Sequence, residues 1–207
     1  VRFVDDFLIA TEAPENIKKF FEIADSLKDK GFIVNQSKIR SNIDLSLLNG
    51  NSFEQGIQAS FVSDHIEWCG MKIYDQGVGV KSICRDPYFR YTVSVSISNR
   101  GKRIFDKIKR SLNIKLAKIY INKLNKKLGE CIFDALFFCG RRLKIMMLRL
   151  DFVNTDFVER ILDWCVNEVE RVLKSRNIIF DREKIDRMSN IAYEKCGVRD
   201  VKGMPHQ

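Results

Sequence analysis

The sequence predicts an α+β protein. A mixed region of antiparallel hairpins and one helix is expected over residues 1–79, and an all-helical domain over residues 80–207. Three observations carry this. Apolar stretches before residue 79 are short and punctuated by turn residues, as hairpin strands are. Beyond residue 102, apolar side chains recur at three- and four-residue spacings over long runs, as buried helix faces do. Between the two parts, Gly77 and Gly79 mark a break, and the composition turns strongly basic just after it.

Taken in order, the opening stretch VRFVDDFLIAT reads as strand–turn–strand, with Asp5 and Asp6 at the bend between the apolar arms RFV and FLIA. Pro14 suits the first turn of a helix. Ile17, Phe20, Phe21, Ala24 and Leu27 then share one face, and Gly31 is a natural stop. Phe32-Ile33-Val34 is expected as a short strand, followed by a polar turn at Asn35–Lys38 and a weaker strand over 39–43. Residues 45–63 read as a polar loop, and His65–Tyr74 as a second hairpin. The alternating stretch Phe89–Ser98 suits an extended segment. Helices are expected at 102–126, 130–149, 155–175 and 182–195. The third carries the stripe Phe157, Ile161, Trp164, Cys165, Val169, Val172 and Leu173, and Asp156 with Glu159 reads as its capping box. Phe133, Phe137, Phe138, Met146 and Met147 are expected in the core.

The chain has 207 residues, 45% hydrophobic and 11% aromatic, which is enough apolar material for a packed core and argues against general disorder. No apolar run approaches the roughly 18 residues of a membrane span, and no secretory signal pattern is visible at the first residues. With no initiator methionine, the chain is expected to begin inside a longer protein. Six cysteines form no C-x-x-C pair and only two histidines are present, so a zinc site is not expected. The cysteines read as reduced thiols of an intracellular protein.

The net charge of +9 points to phosphate-rich or acidic partners. It is concentrated: residues 81–130 hold fourteen Lys and Arg against three Asp and Glu, a surplus of eleven that exceeds that of the whole chain. Asp5 and Asp6 pose the opposite problem. Two adjacent carboxylates between apolar arms repel each other, and more so where the dielectric is low. A plain solvated turn tolerates such a pair. So does a divalent cation: Mg²⁺ takes hard oxygen ligands, commonly one or two carboxylates plus substrate phosphates. Two such ions can serve the attacking and leaving oxygens of a phosphoryl displacement.

The order of the short motifs bears on that choice. Val4-Asp5-Asp6-Phe7-Leu8, followed by Thr11, resembles the paired-aspartate motif of telomerase reverse transcriptases. Gly31-Phe32-Ile33-Val34-Asn35-Gln36-Ser37-Lys38 is similar to that family's next motif, and Trp68-Cys69-Gly70 to its W-C-G primer grip. Ser98-Asn99-Arg100-Gly101 and the basic helix after it resemble the start of the telomerase thumb. The resemblance runs over residues 1 to about 120, and nothing in residues 130–207 reads as a motif. It implies that residues 1–79 are the C-terminal part of a reverse-transcriptase palm and residues 80–207 the helical thumb.

The roles it implies follow residue by residue. Asp5 and Asp6 would be two of three catalytic aspartates holding two Mg²⁺ ions. The third lies in an upstream motif absent from this chain, so this stretch alone is expected to be inactive. Lys38 would sit near the phosphates of the incoming nucleotide, where an ammonium can neutralise or protonate the departing pyrophosphate; the bland alternative is an exposed turn lysine. Trp68, Cys69 and Gly70 would steady the primer 3′ end, while Trp68 could equally be core. Asn99, Arg100, Lys102, Arg103, Lys107, Arg110 and Lys118 would contact nucleic-acid phosphates. The spacing of the last four is expected to put them on one side of a single helix, and a merely solvated face is the alternative. The implied partners are a telomerase RNA template, a telomeric DNA primer, deoxynucleoside triphosphates and the rest of the reverse transcriptase, at chromosome telomeres in the nucleus. Two other readings stand beside this one. One is a retroelement or group II intron-type reverse transcriptase, and the other a basic nucleic-acid-binding module without catalysis.

Overall fold

The computed structural model describes residues 2–3, 6–42, 60–61, 65–74, 79–82, 100–150 and 154–199. The chain divides into two compact units, Val1–Gln76 and Gly77–Gln207. The mixed helix-and-strand class expected from the sequence is what is observed.

The first unit opens with β1, Arg2–Phe3, paired antiparallel to β2, Asp6–Phe7, with Arg2 opposite Phe7 and Phe3 opposite Asp6. That register corrects one detail: Asp6 is the first ladder residue of β2, not part of the bend. The helix α1, Pro14–Ser26, begins on its proline as expected. Ala13 at the N-cap has no side chain able to cap, and Thr11 instead braces the segment entering the helix. Its hydroxyl accepts from the Ala13 N–H at 3.0 Å and the Asn16 Nδ2 at 3.0 Å. Ile17, Phe20, Phe21 and Leu27 are half-buried and Ala24 is buried, so the anticipated face is the inward one. Phe7 meets Phe20 and Phe32 with ring centroids 5.8 and 5.6 Å apart, tying β2, α1 and the following segment together.

The chain leaves α1 through a 3-10 turn, Lys28–Lys30, which ends at Gly31 with φ of +83°. The Phe32 N–H closes back onto the Leu27 carbonyl. The strand expected over 32–34 is therefore absent: this segment is spent on closing the helix end and seating Phe32 in the aromatic cluster. Asn35 builds the next turn, its Oδ1 accepting from the Ser37 N–H and hydroxyl, over the 3-10 turn Gln36–Lys38. The weaker strand is real but shorter, β3 Arg40–Ser41, running parallel to β4 Ser60–Phe61. Most of the stretch read as a polar loop, 45–59 and 62–63, lies outside the described residues, as does the whole of 89–98.

The second hairpin forms as read: β5, His65–Trp68, pairs antiparallel with β6, Met71–Tyr74. Its loop has two residues, Cys69 at φ 46° and Gly70 at φ 77°. Two successive positive φ values mark the turn whose twist matches the strands it joins.

In the second unit, β7, Gly79–Ser82, precedes four helices: α2, Arg100–Lys115; α3, Leu128–Leu150; α4, Thr155–Ser175; and α5, Arg182–Cys196. Their inward faces make one core, including Ile104, Ile108, Leu112, Leu136, Leu143, Met147, Leu162 and Tyr193. Met146 is also core, whereas Phe133, Phe137 and Phe138 pack against its edge. Asn154 caps α4, accepting from the Phe157 N–H at 2.9 Å. The expected Asp156–Glu159 box is not the cap, and Glu159 instead receives Arg199.

The largest departure concerns α2. A helix over 102–126 was expected from continuous apolar spacing, but α2 stops at Lys115 and residues 116–127 form turns. Two asparagines cause this by offering side-chain amides where a helix would need backbone. Asn122 Oδ1 accepts from Leu124 N–H, and Asn125 Oδ1 from the N–H groups of Lys127 and Val80. The Asn125 Nδ2 donates to the Val80 and Tyr120 carbonyls. Asn125 thus takes the place of a neighbouring strand for Val80, and is itself buried.

Candidate nucleic-acid interface

Within the first unit, Asp6 heads β2 opposite Phe3, while Asp5 and the carboxylate of Asp6 lie outside the described residues. Oxygen donors of this kind suit a hard cation, and two alone make an incomplete set. Among the described residues, no group of three or more His, Cys, Asp or Glu is placed to hold a metal. Lys38 ends the Asn35-capped turn and is exposed. Trp68, Cys69 and Gly70 come together at one end of the β5–β6 hairpin. Trp68 is half-buried, and its indole Nε1 is buried with no hydrogen-bond partner among the described residues. Cys69 and Gly70 have a sufficient structural reason to be where they are, the tight turn itself, and this reading sits beside the primer-grip expectation.

In the second unit, α2 presents its cations as the sequence suggests, with one correction. Lys102, Arg103 and Arg110 are exposed and Lys107 is half-buried. Arg103, Lys107 and Arg110 fall on one flank by helical geometry. Lys118 does not join them, because it lies beyond the end of α2 in the turns that follow. Asn99 lies outside the described residues, as does the side chain of Arg100, the first residue of α2. Lys109, exposed on the same helix, lies on a different flank, near Glu168 of α4.

The charges around α2 are not uniform. At its C-terminal end they are balanced: Lys115 lies near Asp134 of α3 and over the Phe138 ring at 4.5 Å. Beside it, Lys81 bridges to Glu130 at 3.1 Å and Asp134 at 3.4 Å, and Lys127 reaches Glu130 at 2.9 Å. Hydrogen bonds from Lys127 and Lys81 hold the Glu130 carboxyl below its ordinary range. Burial pushes the Asp134 carboxyl up despite Lys81. Two turns back, charge meets like charge: burial together with the neighbouring Arg142 and Arg103 lowers the Lys107 ammonium. Arg142 comes from α3, and its presence here had no signature beyond the Arg141-Arg142 pair.

No protein-family model and no curated protein matches this chain.

Proposed function

We propose that this chain is the C-terminal part of the palm and the thumb of a telomerase-type reverse transcriptase, an RNA-templated DNA polymerase that extends telomeric 3′ ends. The observation that carries the reading is the order of its parts: paired aspartates, a turn lysine, W-C-G at the tip of a tight hairpin, then a cationic helix. In this reading the primer 3′-hydroxyl attacks the α-phosphate of a deoxynucleotide, and pyrophosphate leaves. Bound Mg²⁺ would supply the Lewis-acid chemistry, with Asp5 and Asp6 as its ligands from this chain and a third aspartate from elsewhere in the enzyme. Lys38 would meet the departing phosphates. Trp68 would give the primer a rigid wall. Lys102, Arg103, Lys107 and Arg110 would track hybrid phosphates, contacts that position without reading sequence.

The test uses the full-length protein. Asp5→Ala should abolish primer extension while leaving primer binding nearly intact; extension that persists removes the catalytic assignment. The cationic helix alone would equally serve a nucleic-acid-binding module without catalysis, and that is the reading such a result would favour.

A further inference from the structure

The C-terminal end of α4 and the turns after α2 meet in one place. Arg176, the C-cap of α4, donates from Nη1 to the Ile121 carbonyl at 2.8 Å. Past it the chain reverses as helix ends commonly do. Asn177 takes φ of +53°, its N–H returns to the Lys174 carbonyl, and the Ile178 N–H returns to that of Leu173. Ile178 is thereby buried, and Ile179 after it is left fully exposed. On the other side of the Arg176 bond, Asn122 ties the turn together. Its Nδ2 donates to the Lys118 and Ile119 carbonyls, and its Oδ1 accepts from the Leu124 N–H. Ile119 is 48% and Leu124 72% exposed on that turn.

Lysines stand among these aliphatic side chains. Between Asp106 and Glu130 the sequence has eight Lys and Arg and no acid. Lys118, Lys123 and Lys126 are exposed and make no ion pair among the described residues. The acids near Ile179 are mostly engaged: Glu170 pairs with Lys174 and Arg182, Asp186 with Arg182, and Asp181 caps α5. That leaves Glu183, in the first turn of α5, to set against three lysines. The rings of this stretch, Tyr120 and Phe180, pack against the core. A lone exposed aliphatic side chain needs no explanation. Three of them, held by hydrogen-bonded turns beside unpaired cations, make a surface that is both apolar and charged.

We infer that this end of the helical unit docks a second protein through an acidic segment with aliphatic anchors. Ile119, Leu124 and Ile179 would meet its apolar side chains, and Lys118, Lys123 and Lys126 its carboxylates. Charge complementarity selects an acidic partner and steers its approach. The exposed aliphatics select a protein over a nucleic acid, which would take the lysines and leave the aliphatics in water. Unstacked bases are held on aromatic faces, and here the rings are turned to the core. The inference does not depend on the nucleic-acid-binding reading of α2 given above.

The experiment measures binding of the full chain to a labelled synthetic helical peptide with leucines along one face and glutamates on the other. A scrambled peptide of the same composition is the control. The ordered peptide should bind about tenfold more tightly than the scrambled one. The double variant I119S/L124S should remove about that factor, as loss of central apolar anchors does. K123Q/K126Q should weaken binding and reduce its dependence on salt. The Tm should hold in both, because all four side chains are exposed. R103M/K107M, on α2, should leave peptide affinity unchanged. Equal affinity for the two peptides overturns the inference, as does unchanged binding by I119S/L124S. An equal loss in R103M/K107M overturns it too, by showing general charge attraction. The last arm repeats the titrations with an RNA–DNA hybrid and with phosphatidylserine vesicles. A loss in I119S/L124S as large for either of these as for the peptide gives the surface to nucleic acid or to membrane instead.

Discussion

The two units differ in where their apolar side chains go. Among the described residues of the first unit, the buried hydrophobic side chains are Ala24 and Met71, while Phe7, Ile9, Ile23 and Ile33 are exposed. The second unit buries a continuous core from all four helices, with Ile108, Leu112, Ile132, Leu136, Leu143 and Ile185 fully inside. Yet every short motif with a chemical reading, apart from the basic helix, lies in the first unit. In the proposed reading, stability and chemistry are carried by different stretches of chain. The interior of the helical unit holds it together without help from its cationic surface. The first unit places its special residues on two-residue strands and tight turns, where geometry is set by hydrogen bonds and φ values more than by packing.

That comparison can be broken by truncation. Leu143→Ala removes a fully buried side chain from the helical core and should cost about 2–5 kcal/mol. Ile23→Ala, on the exposed side of α1, should cost under about 0.5 kcal/mol. Denaturant unfolding of both variants checks this; equal losses would mean that the first unit is covered by something that buries Ile23. Gly140→Ala sharpens the same point. An added Cβ would lie 2.9 Å from Cys196 Sγ and 2.9 Å from Tyr193 Cδ1. Tyr193 cannot easily yield, being fully buried with its hydroxyl donating to the Leu162 carbonyl at 3.2 Å. Overpacking of about 1–3 kcal/mol should outweigh the helix-propensity gain of up to about 1 kcal/mol. Gly129→Ala, where a Cβ meets nothing within 4 Å, should be neutral or stabilising by calorimetry.

What the sequence made legible follows the same division. Long helices announce themselves through many repeats of one spacing, so α3, α4 and α5 lie within two residues of expectation at every boundary. The β5–β6 hairpin was legible because a two-residue loop fixes its register. The end of α2 was not, because Ile119, Ile121 and Leu124 continue an apolar rhythm through residues that the Asn122 and Asn125 side chains hold in turns. Lys118 was misplaced for that reason. The strand at 32–34 failed because periodicity cannot say whether a partner strand exists. The place of Arg142 was invisible because it depends on which residue of α2 lies across from it. The cationic surface itself was readable from charge density alone.

The turn at Cys69-Gly70 allows the structural and functional readings of W-C-G to be pulled apart. Cys69→Asn places the residue that best tolerates positive φ at the first loop position, ahead of a glycine already at the second. The hairpin should be retained or gain a few tenths of a kcal/mol. If Cys69 serves the turn alone, primer extension by the full-length variant should match that of the parent. A drop in extension with unchanged thermal stability would assign the thiol itself to the primer.

A modest expected effect concerns the balanced end of the α2–α3 pair. Glu130 is partly exposed, so its bridges to Lys127 and Lys81 are screened and Glu130→Gln should cost only about 0.2–1 kcal/mol at neutral pH. Its carboxyl is held below the ordinary value of 4.5, so the contribution is fully present above that value and fades as pH falls through the lower folded-state value. Asp134 works in the opposite sense. Burial raises its carboxyl, so its ionisation subtracts stability as pH rises from the ordinary carboxylate range through the raised value. Unfolding free energies of parent and Glu130→Gln should therefore converge as pH falls through the lowered folded-state value, while Asp134→Asn should change the slope of parent stability with pH in the other direction. A Glu130→Gln deficit that persisted in acid would mean that the carboxylate's charge is not what joins β7 to α3, and that hydrogen bonding or packing holds this end as it holds the rest of the unit.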